Sequence, residues 1–146
     1  MADNLGLITN VCYCFVEDIE NCVVFPNGIL LRFKSGKNWS DFSAGAGNID
    51  IKVKDESESG NPKFTISGRI KISRLRSGGL FSLPDFKNRK VILKCNTANS
   101  DEFAVGDIEN PVKIKRDIIN PSDVNSASGI EYYPSGVMTH SELPIL

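Results

Sequence analysis

The chain has 146 residues, a net charge of −1 and a hydrophobic fraction of 40%. These values describe one globular domain that can bury a core without disulfides or metals. No apolar run approaches the ~20 residues of a membrane-spanning helix, and Met1-Ala2-Asp3-Asn4 lacks the basic and apolar regions of a secretory signal, so we expect no membrane association and synthesis in the cytoplasm.

The first part of the chain predicts three strands. Residues 5–16 combine β-branched, aromatic and cysteine residues with two largely apolar faces, which indicates a strand buried on both sides. Residues 22–26 and 29–34 are apolar runs separated by Asn27-Gly28, the dipeptide best suited to a two-residue hairpin turn. We therefore expect the second and third strands to pair as an antiparallel hairpin.

The clearest pattern in the chain is a long strand over about residues 62–76. Its even positions from Phe64 to Ile72 are apolar except for Gly68, and its odd positions are polar or basic, as in a strand with one face in a core. Gly68 interrupts the apolar face, which suggests a β-bulge or sharp coiling. Residues 49–54 alternate in the same way and are expected to pair with the long strand.

The second half of the chain predicts another hairpin, one more strand and an irregular end. Residues 90–95 and 102–106 have the pattern of a hairpin, and residues 112–115 alternate as a further strand. From residue 120 onward the composition changes to Pro, Ser, Asn and Gly with scattered apolar residues. The chain ends in an apolar segment, 143–146, which gains from being covered by its own domain or by a neighbouring subunit.

Together these patterns predict an all-β fold. We expect a single-domain antiparallel β-sandwich or barrel with one long central strand and an extended C-terminal arm. The sandwich or barrel core is expected over residues 1–119, and the arm, or a last edge strand, over residues 120–146.

The sequence offers little for catalysis or for binding a cofactor. Cys12, Cys14, Cys22 and Cys95 lie within apolar strand patterns and lack the paired C-x-x-C spacing of a zinc site, so we expect buried thiols that behave as small hydrophobes. The single His140 lies near the C-terminus, and Walker, dinucleotide-binding and H-E-x-x-H motifs are absent from the sequence. We expect no enzyme activity, no metal and no cofactor.

Charge is unevenly spread along the sequence. Residues 62–94 contain nine basic side chains and one acidic side chain, a net charge of +8, whereas the remaining residues contain eight basic and 17 acidic side chains, a net charge of −9. A nucleic-acid groove would combine such a basic face with aromatic stacking platforms, but the long strand carries Thr and Ser at those positions. Complementary faces on two copies favour self-assembly or a charged protein partner, and a merely solvated strand face is the third possibility.

A resemblance to a known family begins at the second predicted hairpin. The segments 91–95, 102–107 and 109–114 form a strand, a turn, a strand ending in Gly-Asp, and an Asn-Pro before a further strand. With the ending from Gly129 through Tyr132-Tyr133 to His140, this order resembles small β-rich virion proteins of Bacteroidetes (crAss-like) phages and prophages. In that pattern the long strand usually leads to a helical segment, which Pro84 shortens or removes here.

The resemblance implies a virion structural protein of the neck or tail. Such a protein is made in the host cytoplasm, assembles into a homo-oligomeric ring and binds neighbouring virion proteins. Ring contacts are heterologous, so different faces of one subunit must fit each other. The candidate subunit interface combines the basic face of the long strand, an acidic loop and the apolar terminus: Lys63, Arg69, Lys71, Arg74, Arg76, Asp101, Glu102, Asp107, Glu109, Leu143, Ile145 and Leu146.

Two other classes of function are compatible with the residues. A small ligand- or glycan-binding β-sandwich could use Trp39, Phe42 and the Gly-rich loop 43–47 as a binding rim, although a single Trp more often fills a core or loop. A nucleic-acid-contacting β protein is the other alternative, which the missing aromatic platforms disfavour.

Overall fold

A computed structural model describes residues 7–42, 48–73, 86–119 and 129–146. The described residues form a short 3₁₀ helix, η1 (Val16–Asp18), and eleven strands: β1 (Ile8–Phe15), β2 (Ile19–Phe25), β3 (Gly28–Phe33), β4 (Ser40–Asp41), β5 (Ile49–Asp55), β6 (Phe64–Ser73), β7 (Lys90–Thr97), β8 (Glu102–Val105), β9 (Val112–Ile119), β10 (Gly129–Met138) and β11 (Leu143–Pro144). The predicted all-β fold class is confirmed. None of the helices in these ranges has the length and apolarity that crossing a bilayer requires.

Nine of the described strands form one antiparallel sheet: seven follow the order β11-β8-β7-β9-β10-β6-β5, and β1 and β4 join it beside β7. β1 pairs with β7 and also carries the short β4, while β2 and β3 form a separate hairpin. One edge of β7 pairs with β1, and the other edge is divided between β9 at residues 90–91 and β8 at residues 93–96. β5 approaches β1 but does not pair with it within the described ranges, so the sheet is not a closed barrel.

The main core lies on one side of this sheet. Alternate residues of β1, β5, β6, β7, β9 and β10 point into it, because successive strand residues face opposite sides of a sheet. Its centre is aromatic: Phe42, Phe86 and Tyr132 are completely buried, with ring centroids 5.2–5.6 Å apart. Tilted and edge-on rings at this spacing are favourable packing arrangements.

A second, smaller core lies on the other side of β1 and β7. It contains Cys14, Ile19, Ile29, Ile92 and Ala104 and is covered by the β2–β3 hairpin. β1 is therefore buried on both faces, as its sequence predicts.

The long strand is present as β6, between β5 and β10. Ile66, Ile70 and Ile72 are buried, whereas Ser67 and Arg69 are exposed, so the predicted alternation is confirmed. Residues 74–76 of the predicted strand lie outside the described ranges. The pairing of β5 with β6 continues past Gly68 without a register shift, so this glycine does not mark a β-bulge.

The turn of the β2–β3 hairpin differs from the prediction by one residue. Phe25 pairs with Gly28, so the two loop residues are Pro26 and Asn27, and the assignment of Asn27-Gly28 as the turn is wrong. Proline fixes φ near −65°, which suits the first central position of a type I or II turn. Gly28 instead makes room for the chain end, because a Cβ there would lie 2.7 Å from side-chain atoms of Leu146.

The C-terminal region contributes an interior strand and a covered end. β10 lies between β6 and β9, although the sequence assigns residues 129–138 to the arm. β11 pairs with β8, and the backbone N–H of Leu146 donates to the Ile29 carbonyl at 3.0 Å. Leu143 and Ile145 pack against the second core, so this chain's own domain covers most of the apolar end, while Leu146 stays 56% exposed.

Candidate functional site

A basic cleft of about 780 Å³ lies between the turn at residues 86–90 and β9. Six of the described residues that line it are basic and one, Asp117, is acidic. We call this surface the basic cleft and define it by its six cations: Lys87, Arg89, Lys90, Lys113, Lys115 and Arg116. Its volume falls within the range of about 300–1,000 Å³ that is typical of ligand pockets.

The cleft forms because β7 and β9 separate after two paired residues. Lys90 pairs with Lys113 and Val91 with Val112, and β9 then continues to Ile119 alongside β10 alone. On the other side the chain turns away at residues 86–89, where Asn88 has a φ of +60° and the Arg89 N–H donates to the Phe86 carbonyl at 3.0 Å. The buried Phe86 ring anchors this turn in the main core.

Three exposed lysines place uncompensated positive charge in the cleft. Lys90 and Lys113 are directly opposite each other on neighbouring strands, and Lys115 follows on the same face of β9. Like charges directly opposite in a sheet are destabilising. None of the three forms an ion pair with another described residue, so the fold tolerates a repulsion that a bound anionic group would relieve.

Arg89 is held by partners of its own. Its guanidinium pairs with the Glu17 carboxylate and lies over the Phe15 ring, 3.3 Å from the ring centroid. A guanidinium stacked on an aromatic face keeps its charge and a fixed position. Arg89 is therefore fixed at the edge of the cleft with its charge balanced by Glu17, whereas the exposed lysines can adjust to a ligand.

The structure separates the residues that the sequence proposes as an interface. Arg69 and Lys71 share the outer face of β6, where Arg69 lies 3.8 Å from Glu131. Lys63 is exposed just before β6, and Arg74 and Arg76 lie outside the described ranges. Among the described residues, Lys63, Arg69 and Lys71 do not line the basic cleft.

The proposed acidic loop uses part of its charge within the chain. Glu102 lies 3.4 Å from Lys94, and Asp107 is only 5% exposed. Asp101 and Glu109 are exposed. β8, which adjoins this loop, pairs with β11, so the acidic loop and the proposed apolar interface residues Leu143 and Ile145 do lie side by side.

Asp107 organises the turn between β8 and β9. One carboxylate oxygen accepts the backbone N–H groups of Glu109 and Asn110 at 2.8 Å, and the other lies 2.6 Å from Nε2 of His140. The hydrogen bond to His140 holds the pKa of the Asp107 carboxyl below its usual value. Nδ1 of His140 lies 2.7 Å from the Ser141 carbonyl oxygen, and the hydrogen bond to Asp107 raises the pKa of His140.

This pairing predicts a fold that loses stability as pH rises through the neutral range. Both ring nitrogens of His140 face acceptors, and only the protonated imidazolium donates from both. The raised pKa of His140 contributes stability that is complete below its ordinary value of 6.5 and is lost as pH rises through the folded-state pKa. The lowered pKa of Asp107 contributes stability that is present above 3.8 and is lost as pH falls through its folded-state pKa.

We therefore expect the melting temperature to be highest between pH 3.8 and pH 6.5, the ordinary pKa values of the two side chains, and to fall above pH 6.5. Asp107→Asn keeps an oxygen for the turn but removes the charge, so its stability should change little between pH 6 and 8. Thermal melts across this range compare the two proteins. If the melting temperatures of wild type and Asp107→Asn changed equally with pH, the Asp107–His140 pair would not control the pH dependence of stability.

Three of the four cysteines are buried in the described structure, and the fourth lies near His140. Cys12, Cys14 and Cys95 are buried free thiols, and Cys22 is half-buried. Burial raises the pKa of the Cys14 and Cys95 thiols to about 12, which opposes formation of the reactive thiolate. Cys22 and His140 share a smaller cleft of about 410 Å³, but both ring nitrogens of His140 already have partners.

Metal ligands are also not brought together. In the described ranges, no group of three or more His, Cys, Asp or Glu side chains could hold a metal ion.

The proposed ligand-binding rim loses one of its two aromatic residues to the core. Phe42 is completely buried in the main core. Trp39 is half-buried, with its ring centroid 5.5 Å from that of Phe33 and Lys94 Nζ 5.4 Å from its own centroid. Residues 43–47 lie outside the described ranges.

Half of the basic cleft lay outside the basic segment identified in the sequence. Lys87, Arg89 and Lys90 belong to the 62–94 segment, whereas Lys113, Lys115 and Arg116 lie on β9. The alternation of Lys113, Ile114 and Lys115 was a signal for an exposed basic strand face.

Comparison of the chain with protein-family models, with curated proteins and with solved structures gives no match.

Proposed function

We propose that this protein is a non-catalytic structural protein that assembles with copies of itself through charge-complementary surfaces. The role that fits best is a ring or connector component of a phage neck or tail that also contacts neighbouring virion proteins. The observation that carries the proposal is the basic cleft, because it concentrates positive charge on one surface of a chain whose net charge is only −1.

The compensating negative charge lies on different surfaces of the same domain. Asp55, Glu56 and Glu58 are exposed on the connector between β5 and β6, and Asp101 and Glu109 are exposed near β8. A contact between unlike surfaces is heterologous, and repeated heterologous contacts produce a ring or a filament. Opposite charges on the two surfaces would direct the encounter and fix the orientation of neighbouring copies.

The antiparallel framework suits a structural role. The basic cleft and the acidic connector are both attached to strands of one sheet, so they keep fixed relative positions within each copy. Fixed positions allow a repeated contact to close with a constant angle. The non-catalytic part of the proposal is supported by the raised pKa values of the buried Cys14 and Cys95 thiols and by the ring nitrogens of His140, both of which have partners.

The proposal predicts a salt-sensitive oligomer of a 16.0 kDa chain. Surface charge pairs weaken as ionic strength rises, since the Debye length falls from about 10 Å at 0.1 M salt to about 3 Å at 1 M. Size-exclusion chromatography with light scattering should therefore show a multiple of the chain mass at low salt and smaller species at 1 M salt. Electron microscopy of the low-salt fraction should show rings or short stacks. A chain mass of 16.0 kDa at every concentration and salt level would contradict the proposal.

A further inference from the structure

We propose that the basic cleft receives the acidic turn of a second copy of this chain. The acidic turn is defined as residues 55–61, between β5 and β6. This inference rests on the proposed self-assembly and names the two surfaces that make the contact.

The acidic turn presents three carboxylates on an ordered support. Asp55 accepts the Ser57 backbone N–H at 2.9 Å, and the backbone N–H and carbonyl groups of Glu58 and Asn61 bond each other in both directions. Glu56 accepts a hydrogen bond from the Thr65 hydroxyl. These hydrogen bonds lower the pKa of Asp55 and of Glu56, so both carboxylates carry full charge at neutral pH.

Among the acidic surfaces, this turn has the most charge available for a partner. Asp55, Glu56 and Glu58 are exposed, and none forms an ion pair with another described residue. Near β8, by contrast, Glu102 is already paired with Lys94 and Asp107 with His140. Three exposed carboxylates within four residues offer the three uncompensated lysines of the cleft a denser negative charge than dispersed acidic residues do.

The cleft favours a carboxylate-bearing turn over single-stranded nucleic acid. Nucleic-acid grooves combine positive charge with exposed aromatic rings on which bases stack. Of the described residues that line the cleft, Phe86 is the only aromatic one, and it is completely buried. The lysine ammonium groups can still pair with carboxylates without any stacking surface.

The repulsion between Lys90 and Lys113 provides an independent signature of a binding site. Reversing the charge of Lys113 turns this cross-strand pair into an attractive one, so the isolated chain should become no less stable. Binding of an acidic turn should nevertheless be lost. If Lys113 were only part of a solvated strand face, its charge reversal would not weaken binding while leaving stability unchanged or higher.

A direct binding experiment tests the inference without requiring assembly. The probe is a fluorescently labelled, end-capped peptide with the sequence of residues 55–61, and its anisotropy is followed as protein is added at low salt. The test protein is the double variant Lys113→Glu and Lys115→Glu. The matched control is Arg32→Glu and Lys34→Glu, which reverses two exposed cations two residues apart at the end of β3, neither in an ion pair with another described residue.

We expect the peptide to bind wild type and the control variant and to bind the cleft variant at least about tenfold more weakly, a change of about 1.4 kcal/mol. The single variant Lys113→Glu, which removes the repulsion from Lys90, should melt at or above the wild-type temperature. Equal losses in the cleft and control variants, or no binding to wild type, would overturn the inference. So would a thymidylate oligonucleotide of equal charge that binds more tightly than the peptide and displaces it.

The outcome separates this inference from the proposed function. If wild type forms salt-sensitive oligomers but the peptide does not bind at the cleft, self-assembly is supported and the contact between copies lies on another surface. Peptide binding at the cleft by a chain that stays monomeric would instead support the site and overturn self-assembly.

Discussion

Adding one methyl group at Gly68 is expected to destabilise the fold by roughly 2–6 kcal/mol. Gly68 has a φ of +157°, and a Cβ there would lie 2.1 Å from the Asp50 carbonyl oxygen. The strained backbone accounts for about 1–3 kcal/mol, and the forced displacement of β5 for about 1–3 kcal/mol more. This is a large part of the roughly 5–15 kcal/mol that stabilises an ordinary domain.

Gly60 provides the matched control for Gly68→Ala. It also has a positive φ, +81°, but a Cβ there would have no neighbour within 4 Å. Gly60→Ala should therefore cost only the backbone term, about 1–2 kcal/mol. Urea unfolding followed by circular dichroism compares the two variants. A Gly68→Ala protein that is insoluble while Gly60→Ala is soluble would also support the larger loss of stability. Equal losses of stability would show that β5 does not approach Gly68 closely.

The long strand could be predicted from sequence, but the role of its glycine could not. Alternation with a period of two is a direct consequence of strand geometry, and β6 follows it from Phe64 to Ile72. A glycine on the apolar face, however, gives the same signal for a bulge and for a close backbone approach. Only the register of β5 against β6 distinguishes these two cases.

β10 was missed because its sequence contains strand-breaking residues. Gly129, Pro134 and Gly136 lie within it, and proline is normally confined to edge strands. In the structure Pro134 pairs with Ile114 on the β9 side, while the ladder to β6 is interrupted over residues 133–135. Pro134 has no backbone N–H to donate, and it lies in the stretch where β10 does not pair with β6.

The basic cleft depends on a strand pairing that the sequence does not show. Charge counting along the chain identified the segment containing Lys87 to Lys90 but could not place β9 beside it. Lys90 and Lys113 become neighbours only through the pairing of β7 with β9, and a register shift of one residue would move each lysine to the opposite face. The charge split was therefore predictable, and its three-dimensional arrangement was not.

Reversing the charge on only one side of the proposed contact should abolish self-assembly. The cleft variant carries Lys113→Glu and Lys115→Glu, and the turn variant carries Glu56→Lys and Glu58→Lys. The turn variant keeps Asp55, because its carboxylate accepts the Ser57 backbone N–H and supports the turn. Counted over the three uncompensated lysines, Lys90, Lys113 and Lys115, the cleft variant changes the charge from +3 to −1, and the turn variant changes the charge of the acidic turn from −3 to +1. In either variant alone the charges that meet at the contact therefore have the same sign, and like charges placed together across an interface cost several kcal/mol.

Mixing the two variants restores opposite charges at every contact. The acidic turn of the cleft variant then faces the original cleft of the turn variant, and the two reversed surfaces also face each other. Assembly should therefore return in an equimolar mixture without any change in the folded chains.

Light scattering of the two variants, first separately and then mixed at low salt, is the most direct test of charge-complementary self-assembly. We predict 16.0 kDa monomers for each variant alone and the wild-type oligomeric mass for the mixture. A cleft variant that keeps the wild-type mass, or a mixture that stays monomeric while wild type assembles, would contradict it.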